Sequence, residues 1–214
     1  MFQQAFEKFA QALKIKPDDH EALSNWGTAL SEQAKAKSGA EADALFQQAN
    51  EKCAQALKIK PDDHEALTNW GAVLSEQAKT KSGAEADALF QQAYEKNAQA
   101  LKIKPDMYEA LTNWGTALSE QAKAKSGAEA DALFQQANEK CAQALKIKPD
   151  DATAHFNLGC LAAIQNDVAT CCKHLTNWRK YDPNAKKEDL DADADFDRVK
   201  NAPEFLQFRA SLPD

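Results

Sequence analysis

Apolar side chains fall at helical spacing along most of the chain. Ala22, Leu23, Trp26, Ala29, Leu30 and Ala34 form one stripe, with polar residues filling the gaps. A second stripe runs through Ala44, Leu45, Ala49, Cys53, Ala56 and Leu57. Pro17-Asp18-Asp19 precedes the first stripe, and Ser38-Gly39 separates the two. Asp18 with Glu21, and Ser38 with Glu41, have the spacing of a capping box. There the first side chain accepts from backbone N–H groups and the glutamate reaches back to the cap. Ala, Leu, Gln, Glu and Lys occupy the stretches between breakers, and all are good helix formers. The pattern predicts a helix A of about 18 residues and a helix B of about 20, joined by a tight turn.

This pair is written three times. The segment starting at Asp18 returns nearly unchanged at Asp62 and again at Asp106. Pro17, Pro61, Pro105 and Pro149 lie 44 residues apart (61 − 17, 105 − 61, 149 − 105). A fixed period in this range implies a solenoid, in which each unit buries its apolar face only against its neighbours. The predicted units are 18–61, 62–105 and 106–149, preceded by a lone helix B at 1–17 and followed by a shorter unit at 150–185 and a tail at 186–214. Residues 1–17 read either as the start of a piece of a longer array or as an apolar edge that meets a second copy of itself. Phe2, Phe6 and Phe9 would form that edge.

Leu23, Trp26-Gly27 and Leu30 on helix A, then Ala49, Cys53, Ala56 and Pro61 on helix B, resemble the tetratricopeptide repeat. The resemblance implies an all-α, right-handed superhelical solenoid of antiparallel helix pairs. The family unit has 34 residues. Here ten more sit between Gly27 and Ala49, around AKAKSGAEAD. Shared between the two helices, they add about five residues or roughly 7 Å to each. That predicts a rim along one edge, with the stack itself unaltered. Leu158-Gly159, Cys171, Leu175, Trp178 and Pro183 fall on the family pattern with no insertion. The tail resembles the cap that closes many bacterial tetratricopeptide arrays, with Phe196, Val199, Phe205 and Leu206 covering the last apolar face.

Charge narrows the partners. A net charge of −7 and a pI near 5.2 argue against nucleic acid, whose binders carry a basic footprint. No apolar run approaches the roughly 18 residues that cross a bilayer, so no membrane partner is expected. The first helix mixes acidic and basic residues and does not read as a signal peptide. Five cysteines form no paired framework and are read as reduced thiols. The reduced thiols predict a cytoplasmic protein, and the resemblance of the tail implies one of bacterial type.

Candidate chemistry follows from the resemblance, which places the A helices along a concave groove for extended peptides. Asn25, Asn69, Asn113 and Asn157 match an asparagine ladder, in which each amide both donates to and accepts from a bound main chain. The alternative is that these amides brace neighbouring A helices or face water. Glu21, Glu65 and Glu109 stand where a clamp lysine would be, so the expected partner is a basic or neutral segment rather than an acidic terminus. Thr28 and Thr116 border the same groove, and differences between repeats cluster there: His20/His64/Tyr108, Ser24/Thr68/Thr112 and Thr28/Ala72/Thr116.

Metal and catalysis find little support. Asp193, Asp195, Asp197, Asn201 and Glu204 have calcium-loop offsets, but Arg198 replaces the glycine that such a loop needs. Cys160, Cys171, Cys172, His155 and His174 cluster without zinc spacing and read as packing. No nucleophile elbow, phosphate loop or zinc-protease motif is present. The sequence therefore predicts no metal, no cofactor and no enzymatic activity. It predicts a scaffold that holds a protein or peptide in its groove, with a self-assembling array as the second reading.

Overall fold

The structure is a computed structural model and describes residues 2–213. A lone helix α1 (Phe2–Ile15) precedes three long pairs: α2 (His20–Lys35) with α3 (Gly39–Ile59), α4 (His64–Ala78) with α5 (Gly83–Ile103), and α6 (Tyr108–Lys123) with α7 (Gly127–Ile147). A short pair follows, α8 (Ala152–Ile164) with α9 (Val168–Tyr181). The tail holds α10 (Lys187–Asp191), a 3-10 turn at Ala194–Phe196 and α11 (Pro203–Ala210). The described residues contain no strand. The A helices α2, α4, α6 and α8 pack on one another in sequence, whereas no Cα atoms of α3, α5 and α7 approach within 8 Å across those helices. One face of the array is therefore a closed row of A helices, and the other a series of B helices with gaps between them.

Two kinds of glycine make this geometry. Gly39, Gly83 and Gly127 sit in the A–B turn at φ of 57° to 58°, where a Cβ is strained although nothing crowds it. Gly27 is needed for the opposite reason, because a Cβ there would lie 2.6 Å from Cys53 Sγ. Helices A and B approach closely at that point, and the small Ala49, Cys53 and Ala56 are fully buried beneath. Large residues fill the remaining space. Phe46 is fully buried, and such a side chain contributes about 1.5–3 kcal/mol through its removal from water.

The caps differ from the sequence expectation. The first cap is Asp19, not Asp18, and its carboxylate accepts from the Ala22 N–H at 3.1 Å. Asp63 accepts from Glu65 and Ala66 N–H groups, but Met107 stands at the third cap and offers no such bond. Ser38, Ser82 and Ser126 make no side-chain cap bonds either. Glu41, Glu85 and Glu129 pair instead with Lys37, Lys81 and Lys125 four residues earlier. A lysine next to the glycine turn outcompetes the serine for the carboxylate.

The inserted residues do more than project. Lys81 reaches back to Asp43 of the preceding repeat at 2.9 Å, and Lys125 to Asp87 at 2.8 Å. Gln121 also donates to Asp87 at 2.7 Å and accepts from Tyr94 Oη. Hydrogen bonds from Lys125 and Gln121 hold the Asp87 carboxyl below the usual carboxylate range. Ala34, Ala42 and Phe46 give the rim its own buried seam. So the rim ties each long repeat to the one before it, rather than leaving the stack untouched.

The tail closes the array as a lid. Phe196, Val199 and Phe205 are buried against Cys171, Leu175 and Trp178 of α9, as the resemblance of the tail to a closing cap implies. Leu206 is instead 49% exposed, and Leu212 takes the buried place. On the open side of the array each tryptophan of an A helix lies under a lysine of its own B helix. Lys52, Lys96 and Lys140 stand 4.2, 3.9 and 3.8 Å from the ring centroids of Trp26, Trp70 and Trp114. Such contacts contribute about 0.5–1 kcal/mol each at partly exposed sites.

Candidate functional site

The stripe on the A helices follows from their rotation. Ala22, Leu23, Gly27, Leu30 and Ala34 point into the array, so Glu21, Asn25, Thr28 and Glu32, at offsets of four, three and four, share the side left open. Glu21, Asn25 and Glu32 are exposed and Thr28 is half-buried. Glu65, Asn69, Ala72 and Glu76 continue the stripe on α4, and Glu109, Asn113, Thr116 and Glu120 on α6. On α8 the stripe changes to Thr153, Asn157, Cys160 and Ile164 and loses its carboxylates.

Half of the carboxylates are answered locally. Glu32, Glu76 and Glu120 pair with Lys35, Lys79 and Lys123 three residues on, at 2.7, 3.1 and 2.9 Å. Glu21, Glu65 and Glu109 are exposed and form no ion pair among the described residues. They lie in the first turn of their helices, where a negative charge also complements the helix dipole. The result is a row of three open carboxylates along one edge of the face.

The asparagines divide into two sets. Asn69 Nδ2 donates to Ser24 Oγ at 3.1 Å, and Asn157 Nδ2 donates to Thr116 Oγ1 at 2.7 Å. Both amides brace adjacent A helices. Ala72 offers Asn113 no hydroxyl, and no hydrogen bond joins Asn25 or Asn113 side chains to another described residue. Thr28 and Thr116 hydroxyls turn back to the carbonyls of Ser24 and Thr112. The repeat-to-repeat differences follow the same contacts rather than a ligand. His20 lies 2.6 Å from Asp63, Thr68 donates to Met107 Sδ, and Thr112 donates to Asp151.

The tail supplies residues that sequence reasoning did not place at this face. Asp195 pairs with Lys123 at 2.7 Å, and Asp193 lies 3.7 Å from Cys160 Sγ. Burial raises the Asp195 carboxyl, and it also raises the Cys160 thiol far above its ordinary value. Cys160, Asp193 and Asp195 bring three donor atoms within 4.8 Å of one another, but the Lys123 ammonium already holds the cation's place. Asp193 also caps the Asp195 N–H, and Asp197 pairs with Lys200, so these acids act as tail-fastening groups. The alternation of Asp with Ala in DADADF was the only signal, and it fits a calcium loop equally well.

The phenylalanine edge is largely consumed inside the molecule. Phe6 and Phe9 each stack on Trp26 with ring centroids 6.2 Å apart, and only Phe2 remains exposed. The cysteines lie in packing positions: Cys53, Cys141 and Cys171 are fully buried, and burial pushes the Cys53 thiol up to about 12. His155 and His174 face each other with Nδ1 atoms 3.0 Å apart, beside Tyr181. Burial and the neighbouring His155 pull His174 down to about 4.

No protein with a curated description matches the chain in sequence. Solved structures resemble it in fold. The thermophilic tetratricopeptide protein TTC0263 of Thermus thermophilus has 17% identity and a TM-score of 0.71, over 96% of this chain and 91% of that one. The type IV pilus biogenesis factor PilW has 18% identity and a TM-score of 0.70, over 98% and 83%. PilF of Pseudomonas aeruginosa has 16% identity and a TM-score of 0.61, over 98% and 89%. At these identities the likeness is one of fold, and the fold is the tetratricopeptide solenoid. The model of the plant-specific mitochondrial import receptor subunit TOM20 matches residues 1–109 and, in an overlapping register, 41–160. Near-identical repeats let one model fit twice. The expectation of a cytoplasmic protein of bacterial type is overturned by this match, because the matched family is of plants and of mitochondria. No helix of the described residues is long and apolar enough to cross a membrane. A solenoid that presents one row of helices to a partner is the architecture of a protein-interaction scaffold, and the chain belongs to the family of the plant-specific mitochondrial import receptor subunit TOM20.

Proposed function

We propose that the A-helix face is a receptor groove that holds a basic or neutral segment of a client protein. The observation that carries this reading is the row of exposed carboxylates at Glu21, Glu65 and Glu109 with no ion pair among the described residues. A cationic segment lying across α2, α4 and α6 would meet one carboxylate per repeat. Asn25 and Asn113 would add amides that can donate to and accept from its main chain. The family description, a mitochondrial import receptor subunit, supports a client bound for that organelle. Scaffolding needs no chemistry on this chain, and none is assigned to it.

Fluorescence anisotropy with a Lys/Arg-containing amphipathic peptide, and its Glu-substituted counterpart, tests the reading. The basic peptide binds more tightly, and added salt weakens it, since exposed charges are screened beyond about 8–10 Å at physiological ionic strength. Replacing Glu21, Glu65 and Glu109 together by Gln weakens it about tenfold, or about 1.4 kcal/mol. Equal binding of the two peptides, or an unchanged affinity in the triple variant, removes the proposal.

A further inference from the structure

The gaps between B helices hold a second surface that the receptor groove does not use. Between α5 and α7 lies a groove of about 420 Å³ lined by Leu101, Pro105, Leu111, Lys140, Lys146 and Ile147. Leu111 of α6 is 5% exposed and belongs to the packed layer, while Ile147 is 40% exposed and stands at the mouth. No carboxylate lines it. The same six residue types recur 44 positions earlier as Leu57, Pro61, Leu67, Lys96, Lys102 and Ile103 (101 − 57), so the feature is built into the repeat. Ile15, Ile59, Ile103 and Ile147, all exposed at the ends of B helices, mark this edge.

The lysines of this side differ from those of the rim. Lys35, Lys37, Lys79, Lys81, Lys123 and Lys125 all carry carboxylate partners. Lys96, Lys102, Lys140 and Lys146 form no ion pair among the described residues, although the neighbouring Glu95 and Glu139 act on Lys96 and Lys140 at longer range. Lys96 and Lys140 are held over Trp70 and Trp114, and burial pulls both below the ordinary lysine range. An apolar trough lined by lysines and by no carboxylate calls for a ligand that brings apolar side chains and carboxylates together.

We infer that the outer grooves dock an acidic protein segment carrying large apolar residues at helical spacing. Its apolar side chains enter over Leu101 and Leu111, and its carboxylates meet Lys140 and Lys146. The repeated grooves let one segment engage two units at once, which raises avidity without new contact types. A protein segment fits better than an anionic bilayer. The apolar floor, with Leu111 only 5% exposed, is recessed between helices, where side chains of a segment enter and a flat headgroup surface does not.

The test uses the full chain and a fluorescent peptide of Leu, Phe and Glu at helical spacing. Its counterpart carries Lys for Glu, and phosphatidylserine-containing vesicles serve as the membrane probe. Lys102 and Lys146 are exposed groove lysines, so their joint replacement by Gln removes the charge without disturbing the packed layer. That variant should bind the acidic peptide about tenfold more weakly, and I103S with I147S should weaken it several-fold. The Glu21, Glu65 and Glu109 variant should bind it unchanged, which separates this surface from the receptor groove. The proposal is overturned if the acidic peptide binds no better than its basic counterpart, if the lysine variant keeps full affinity, or if vesicles bind in a lysine-dependent way and the peptide does not.

Discussion

The inner and outer faces are made from the same three repeats, yet they differ in which charged groups stay unpaired. On the A helices the lysines at Lys35, Lys79 and Lys123 are occupied by glutamates three residues before them, so Glu21, Glu65 and Glu109 stay open. On the B helices Lys96 and Lys140 rest on tryptophan rings beside the exposed Glu95 and Glu139, and neither lysine forms an ion pair among the described residues. Net charge alone would describe the molecule as acidic throughout. The lesson is that an array sorts its charges by which residues find partners, and each face then presents what is left.

Both faces depend on the packed layer between them, so core substitutions break the comparison most severely. Leu118 is 1% exposed in the seam of α6. Leu118→Ala should cost about 2–5 kcal/mol, read as a lowered urea midpoint, through lost transfer energy and the cavity left behind. A smaller but opposite effect is expected at Asn97. It occupies the place of Cys53 and Cys141, is fully buried, and leaves Oδ1 without a partner. Asn97→Cys should raise stability by about 1–3 kcal/mol, the usual cost of an unmet buried polar atom. A loss of stability would show that the amide holds α4 and α5 together.

The asparagines sharpen the comparison further. Asn157→Ala should cost about 0.5–1.5 kcal/mol of stability through its lost bond to Thr116. Asn113→Ala should leave the melting temperature nearly unchanged while weakening the basic peptide. Reversed outcomes would exchange the roles of brace and ligand contact. The smallest effect concerns pH. The pKa of His174 falls from its ordinary 6.5 to about 4 on folding, so the unfolded chain binds more protons between those values. Stability contributed by the neutral ring is present above pH 6.5 and is lost as pH falls toward 4. Because the ring is only partly buried, the slope is shallow, and His174→Gln should flatten it in a thermal melt series.

Much of the architecture was legible because period and stripe are local signals. Leu23, Trp26, Leu30 and Ala56 announce the helix pair, and Phe196, Val199 and Phe205 announce the closing tail. The details that failed depend on competition. Asp18 and Asp19 are adjacent acids, and only the turn geometry decides which becomes the cap. Lys37 takes Glu41 from Ser38, a contest that spacing cannot rank. Phe6 and Phe9 looked like an open edge because their partner, Trp26, lies across a turn. At the inner face the sequence identified the asparagine row, but which amides stay free depends on which hydroxyl of the preceding A helix lies within reach, Ser24 for Asn69 and Thr116 for Asn157. Cellular station was not legible at all, since charge and hydropathy describe solubility and not address.

The most direct test of an acidic inner groove is an NMR experiment with a spin-labelled basic amphipathic peptide bound to the intact chain. The side-chain amides of Asn25 and Asn113 report on the inner face, and the indole N–H groups of Trp26, Trp70 and Trp114 report on the layer beneath the B helices. Strong broadening of the two asparagine amides, with the indole signals still sharp, is the expected result. Broadened indoles with unaffected asparagines would place the basic ligand on the outer side and contradict it.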